Sequence, residues 1–166
     1  GVFETSANLA RTGGTAAGNL QISGGTSGFS AKGGAVQVAF GTLLAPTALT
    51  WATSPFQPGT LVLNEITADN TLEFKNAITL GGNRTVNVNA NTATMSGIIT
   101  GATGNTFTKG GGGTLIFNKA NTWGGTTTIS AGTLKIDAGA GGALLGTTPF
   151  SALTINTAGG TFNYDN

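Results

Sequence analysis

The sequence predicts an all-β fold, a solenoid of short strands stacked coil on coil. Three observations predict it. Gly occurs 29 times and Thr 30 times, more than a third of the 166 residues. Short runs of alternating apolar and polar residues recur along the whole chain, bounded by Gly, Asn or Pro. The triplet Gly-Thr-Leu returns at residues 41, 59, 113 and 132. The expected organisation is one solenoid domain over residues 1–166, least repeat-like over 1–32 and clearest over 109–136.

Helix formers are sparse, and Gly and Thr interrupt every window. The one helix candidate, SANLAR at residues 6–11, is too short to stand alone. Strand runs fall at residues 19–23, 35–40, 60–64, 71–75, 77–80, 85–89, 97–100, 106–109, 114–118, 126–130, 133–137, 153–156 and 161–164. Their alternation assigns faces. Leu61 and Leu63 share one side of TLVLN, and Leu72 and Phe74 share one side of TLEFK. Phe162 and Tyr164 do the same in TFNY. In the stretch KGGGGTLIFNKANTWGGTTTISAGTLKI, Leu115, Phe117, Ile129, Leu134 and Ile136 are expected inward and Thr and Lys outward, with glycines at the corners.

The triplet intervals are 18, 54 and 19, which predicts a unit of 18 or 19 residues with degenerate copies near Ala77 and Gly97. Asn76, Asn121 and the Gly pairs at 81, 111, 124 and 141 fall between strands, where corners are needed. One such coil alone offers about four large apolar side chains, too little burial to offset the ordering of its backbone. Stacking supplies the rest. An antiparallel sandwich also predicts many short strands. The Asn-Gly and Asp-Gly hairpin dipeptides that favour it do not occur here.

Composition excludes several classes. Charged residues make up 8% and the net charge is +1, so neither a disordered chain nor a basic nucleic-acid stripe is expected. Pro occurs 4 times and Gly has no three-residue period, which excludes collagen. There is no Cys or His, hence no disulfide and no zinc site of the usual ligands. No apolar run is long enough for a membrane-spanning helix. The chain starts at Gly1 without Met, as expected of a processed chain or an excised fragment.

The stretch 109–136 resembles the autotransporter-associated β-strand repeat. The resemblance is carried by Gly113-Thr114-Leu115, Ala120-Asn121-Thr122-Trp123, Gly124-Gly125-Thr126-Thr127, Ile129 and Gly132-Thr133-Leu134. A looser likeness reaches back to about residue 33 through LTWATSPFQPGTLVLN. The resemblance implies a right-handed parallel β-helix, exported and displayed at a bacterial surface as part of a stalk, fibre or adhesin. It implies no cofactor and no catalysis. Such proteins end in a membrane barrel, and this chain shows none, so a fragment or another mode of attachment is expected.

The search for reactive constellations ends in structural expectations. Glu4, Glu65, Asp69, Glu73, Asp137 and Asp165 read as solvated charges, not as a glycosidase dyad or calcium cluster. Arg84 and Lys75 are the cations nearest a lyase-like set. Neither a GxSxG elbow nor a Walker loop occurs. DAGAGGALL at Asp137 has the wrong order for a glycine-rich calcium repeat, and the sequon at Asn83 reads as coincidence. Trp51 and Trp123 are expected to pack at corners, the alternative being sugar platforms. Irregular TxT triplets at 92–94, 106–108 and 126–128 leave ice binding as a minor alternative.

Neither terminal segment looks like a polar cap. Val2, Phe3, Phe162 and Tyr164 are therefore the candidate assembly residues. The expected partner is another copy, stacked end to end into a homo-oligomer or filament, with glycan contact as a further expectation.

Overall fold

A computed structural model describes residues 1–137, 144–145, 153–155 and 159–165. Among them the chain winds as a parallel β-helix with three faces. Sheet I stacks β1 (Val2–Thr5), β3 (Thr26–Ala31), β6 (Thr60–Leu63), β9 (Arg84–Asn87), β12 (Phe107–Gly110), β15 (Thr127–Ile129) and β18 (Leu153–Ile155). Sheet II stacks β2 (Leu9–Arg11), β4 (Val36–Phe40), β7 (Leu72–Phe74), β10 (Thr92–Met95), β13 (Thr114–Phe117), β16 (Gly132–Asp137) and β19 (Gly160–Asp165). Sheet III holds β5 (Leu49–Thr50), β8 (Ile78–Leu80) and β11 (Ile99–Gly101). A parallel bridge from Thr100 to Thr122 carries this face on to β14 (Ala120–Asn121) and β17 (Leu144–Leu145). The chain crosses sheet I, then II, then III, and returns to sheet I one coil further along.

Parallel in-register pairing lines up like positions as columns. One interior column on sheet II runs Leu9, Val38, Phe74, Met95, Phe117, Ile136, Tyr164. Its neighbour runs Val36, Leu72, Ala93, Leu115, Leu134, Phe162. The inner members of both columns are fully buried. Aromatic rings thicken the core at two levels. Phe29, Phe40, Phe56, Phe74 and Trp51 interlock around the second and third coils. Phe107, Phe117 and Trp123 interlock lower down, with centroids 5.3–5.9 Å apart. Such edge and offset contacts add to what area burial alone supplies.

Three expectations from sequence are corrected. The SANLAR segment is not helical; its end forms β2, held edge-on by β4. A strand with a partner beside it wins over a single helical turn. The 18–19-residue unit holds for one step only, the 19 residues from Thr114 to Thr133. Elsewhere the shift reaches 36 residues, from Val36 to Leu72. Gly113 and Gly132 do precede stacked strands, but Thr60 of the second triplet stacks on Thr26 and Thr85 in sheet I. Gly41 lies in the loop that follows β4, so the spacing of 18 there is accidental. Corners accept insertions because a loop adds little entropy cost per residue. The third correction is Lys109, which points inward and is fully buried.

Inserted corners need internal hydrogen-bond partners, and two buried asparagines supply them. Asn76 accepts from the Phe40 amide at 3.0 Å and donates to Phe40 O and Thr47 O at 2.8 and 2.7 Å, closing the 41–47 loop. Asn64 accepts from the Ala31 amide at 2.9 Å and donates to Asn70 O and Thr92 O, tying three coils together. Its φ of 76° is one that Asn tolerates better than most residues. One coil further on, Gly97 stands beside Asn76. A Cβ on Gly97 would lie 2.1 Å from Asn76 O, so no side chain fits.

Lys109 occupies the interior register position between Val86 and Ile129. Its ammonium donates to Gly110 O, Gly111 O and Ala131 O at 2.8, 2.7 and 3.1 Å. The glycine-rich corner thus turns its carbonyls inward and a cation gathers them. Burial pushes the Lys109 ammonium down to about 8, and the three carbonyls oppose that push.

Two outcomes are expected. Asn76→Ala leaves the buried Phe40 amide unpaired, removes the tie to Thr47 O and lowers unfolding free energy by about 1–3 kcal/mol in a urea titration. For Lys109 the unfolded chain binds more protons than the folded one between pH ~8 and ~10.5, so stability rises with pH across that window. The rise amounts to roughly 1.4 kcal/mol per pH unit at most. Lys109→Met flattens the rise in matched chemical denaturation curves.

Candidate assembly ends and outer faces

In the first and last described coils, side chains of the interior columns are exposed or half-buried. Phe3 stacks on buried Phe29 in sheet I yet is 55% exposed. Val2 pairs with Gly28 and lies on the other side of β1. At the far end Phe162 continues the Leu134 column and is half-buried. Tyr164 continues the Ile136 column and is 49% exposed. Of the four candidate assembly residues, Phe3, Phe162 and Tyr164 therefore occupy interior columns in the outermost described coils, and Val2 does not. The first coil encloses a hollow of about 400 Å³, lined by Phe3, Leu9, Leu20, Ile22 and Phe29, with Arg11 also on its wall.

The outer faces carry threonine in single files that the sequence spacing conceals. Sheet I aligns Thr26, Thr60, Thr85, Thr108 and Thr128. Sheet II aligns Thr92, Thr114, Thr133 and Thr161. Sheet III aligns Thr50, Thr79, Thr100 and Thr122, with the Thr79 and Thr100 hydroxyls 3.1 Å apart. β-branching suits these positions. Among the described residues, threonine files run side by side only where Thr106 and Thr108 lie over Thr126 and Thr128. Two of the three TxT triplets seen in the sequence, 106–108 and 126–128, thus stack on sheet I, while 92–94 lies on sheet II.

Beside the sheet II file runs a mixed column of Gln37, Glu73, Thr94, Ile116, Lys135 and Asn163. Glu73 accepts from Gln37 Nε2 at 2.7 Å, Ser96 Oγ at 2.6 Å and Lys75 Nζ at 3.2 Å. Burial raises the Glu73 carboxyl, but these donors outweigh it and hold it below the usual range. A shallow groove of about 610 Å³ crosses this face from Asn8 to Asn118.

The remaining acids are spent on local ties. Glu4 accepts from Thr67 and Ser30 and pairs with Lys32 at 3.4 Å. The Thr67 hydroxyl is the first cause that holds the Glu4 carboxyl low. Asp69 accepts from Asn70 Nδ2 and the Gly33 amide, which lower it. Glu65 accepts from Asn89. Glu65, Asp69 and Glu73 thus belong to three separate hydrogen-bond sets. Arg84 lies over the Trp51 ring at 5.8 Å and donates to Gly81 O, away from those acids. Among the described residues no three acids gather as metal ligands do. Most of DAGAGGALL lies outside the described residues.

Both tryptophans are core residues. Trp51 is fully buried, its Nε1 donating to Pro58 O at 2.6 Å. Trp123 is 5% exposed and donates to Thr127 Oγ1 at 3.2 Å. Neither ring is available as a sugar platform.

With the geometry in hand, the comparisons fall on the same stretch. Residues 107–136 match the family model described as the passenger-associated-transport-repeat. The match covers β12 through most of β16, the coil step with the 19-residue spacing. Neither the curated proteins nor the solved structures contain a match to the chain.

Proposed function

We propose that the chain is a structural segment of an exported bacterial passenger, a rod that gives length at the cell surface and acts without catalysis. Its place is the stalk or fibre part of a surface protein, the class to which adhesins belong. The supporting observation is the unbroken set of columns from the first coil to the last. Interior columns carry Leu, Phe, Met and Ile, and outer files carry Thr. A passenger-type repeat at residues 107–136 supports the export reading.

The same columns favour growth along the axis. β1 and β19 are the outermost described strands of their sheets, so their outer edges and the exposed interior side chains Phe3 and Tyr164 have no cover among the described residues. Stacking end to end satisfies both needs at once. A net charge of +1 opposes such stacking little.

The isolated chain tests this reading. Electron microscopy is expected to show uniform fibres with an axial repeat of about 34 Å, seven coils at ~4.8 Å each. Removing residues 162–166 abolishes them. A monodisperse monomer in light scattering at high concentration contradicts stacking.

A further inference from the structure

The outer face of sheet II reads alike from either end of the rod. Its middle column runs Gln37, Glu73, Thr94, Ile116, Lys135, Asn163, that is amide, acid, Thr, Ile, base, amide. Let a second copy be laid face to face on this column and turned by half a turn about an axis along the strands, midway between Thr94 and Ile116. Each member then meets its complement. Glu73 stands against Lys135 of the second copy, Thr94 against Ile116, and Gln37 against Asn163, each pair occurring twice.

The flanking columns obey the same rule. Two residues before the middle column, Thr71, Thr92, Thr114 and Thr133 form one flank, so Thr faces Thr. Two residues after it, Lys75, Ser96, Asn118 and Asp137 form the other, so Lys75 meets Asp137 and Ser96 meets Asn118. None of these residues is buried. Glu73, Lys75, Lys135 and Asp137 all meet the opposite sign. A half turn about the rod axis instead sets Glu73 against Glu73 and Lys135 against Lys135, and like charges directly opposed are destabilising. Charge therefore selects the antiparallel arrangement.

Shape and size agree. Ile116, the apolar member of a polar column, comes over Thr94, which lines the groove of about 610 Å³ on this face. Six coils at ~4.8 Å and five residues at ~3.3 Å make a face of roughly 500 Å² per copy. That is the low end of specific interfaces, where complementarity has to carry the contact.

We propose that the outer face of sheet II binds a second copy of this chain side by side and antiparallel, in a two-fold contact centred between Thr94 and Ile116. The contact lies away from the ends of the rod and does not rest on end-to-end stacking. Its ion pairs add to the ties these charges already make within the chain. A two-fold contact closes on itself, so it pairs rods and does not lengthen them. Opposite charges steer the encounter, and salt weakens it.

Cross-linking tests the arrangement, since the chain has no native Cys. Across the proposed contact the two copies of Ile116 stand about 11 Å apart, and the two copies of Asn163 lie about 24 Å apart along the rod. Ile116→Cys and Asn163→Cys, each alone in the full chain, are treated with a short bismaleimide at low salt. Covalent dimers and nothing larger are expected through Ile116→Cys, and none through Asn163→Cys. High salt lowers the dimer yield about tenfold. In the Ile116→Cys chain, Glu73→Lys also lowers it about tenfold, and Glu73→Lys with Lys135→Glu restores it; circular dichroism checks that each variant keeps its β signal. Equal linking through both cysteines overturns the antiparallel order. A double exchange that does not restore the yield overturns the charge pairs. No dimer through Ile116→Cys overturns the lateral contact, and fibres in the microscope then still support end-to-end stacking.

Discussion

A coil of this molecule cannot satisfy its own backbone. Its strands are two to six residues long and lie on different faces, so their N–H and C=O groups find partners only in the coils on either side. That requirement forces parallel, in-register stacking, and register in turn forces columns. A position that is Leu in one coil must be filled by something apolar of similar reach in the next. The interior column from Leu9 to Tyr164 and the threonine files are two results of this one constraint. So is the exposure of Phe3, a residue of an interior column in the outermost described coil.

Departures from regularity sit at corners, where the constraint is weakest. Between β4 and β5 the chain inserts a loop, and between β6 and β7 another. Each insertion strands backbone groups, and Asn76 and Asn64 replace the missing strand partners with side-chain amides. Lys109 solves the opposite problem. A corner rich in glycine, with Gly111 and Gly132 at positive φ, turns carbonyls inward, and a single ammonium collects three of them. At Asn64, Asn76 and Lys109 the buried polar groups are bonded to the backbone of the corners they serve.

The fold class was legible because period-two alternation and Gly-rich breaks are local signals. Leu115, Phe117, Leu134 and Ile136 were assigned inward from alternation alone and are buried. The coil length was not legible, since a repeated triplet does not reveal which sheet it belongs to. Gly-Thr-Leu at 59 and at 113 leads into different faces. The threonine files were hidden for the same reason: Thr60, Thr85 and Thr108 stand 25 and 23 residues apart, intervals set by loop lengths. Lys109 was misread because alternation places its side chain inward while its charge argues outward, and only the carbonyls of Gly110, Gly111 and Ala131 decide between them. The open ends were visible as apolar terminal segments, but Val2 and Phe3 could not be sorted without their partners Gly28 and Phe29.

The central claim is that inter-coil hydrogen bonding holds the chain together and that the end coils are its weak points. Residue-resolved hydrogen exchange of the dilute chain tests it most directly. The account predicts the slowest exchange in β6, β7, β9, β10, β12 and β13, and fast exchange in β1, β2 and β19, with protection graded from the ends inward. Uniform protection from β1 to β19, or fast exchange in the middle strands, would contradict it.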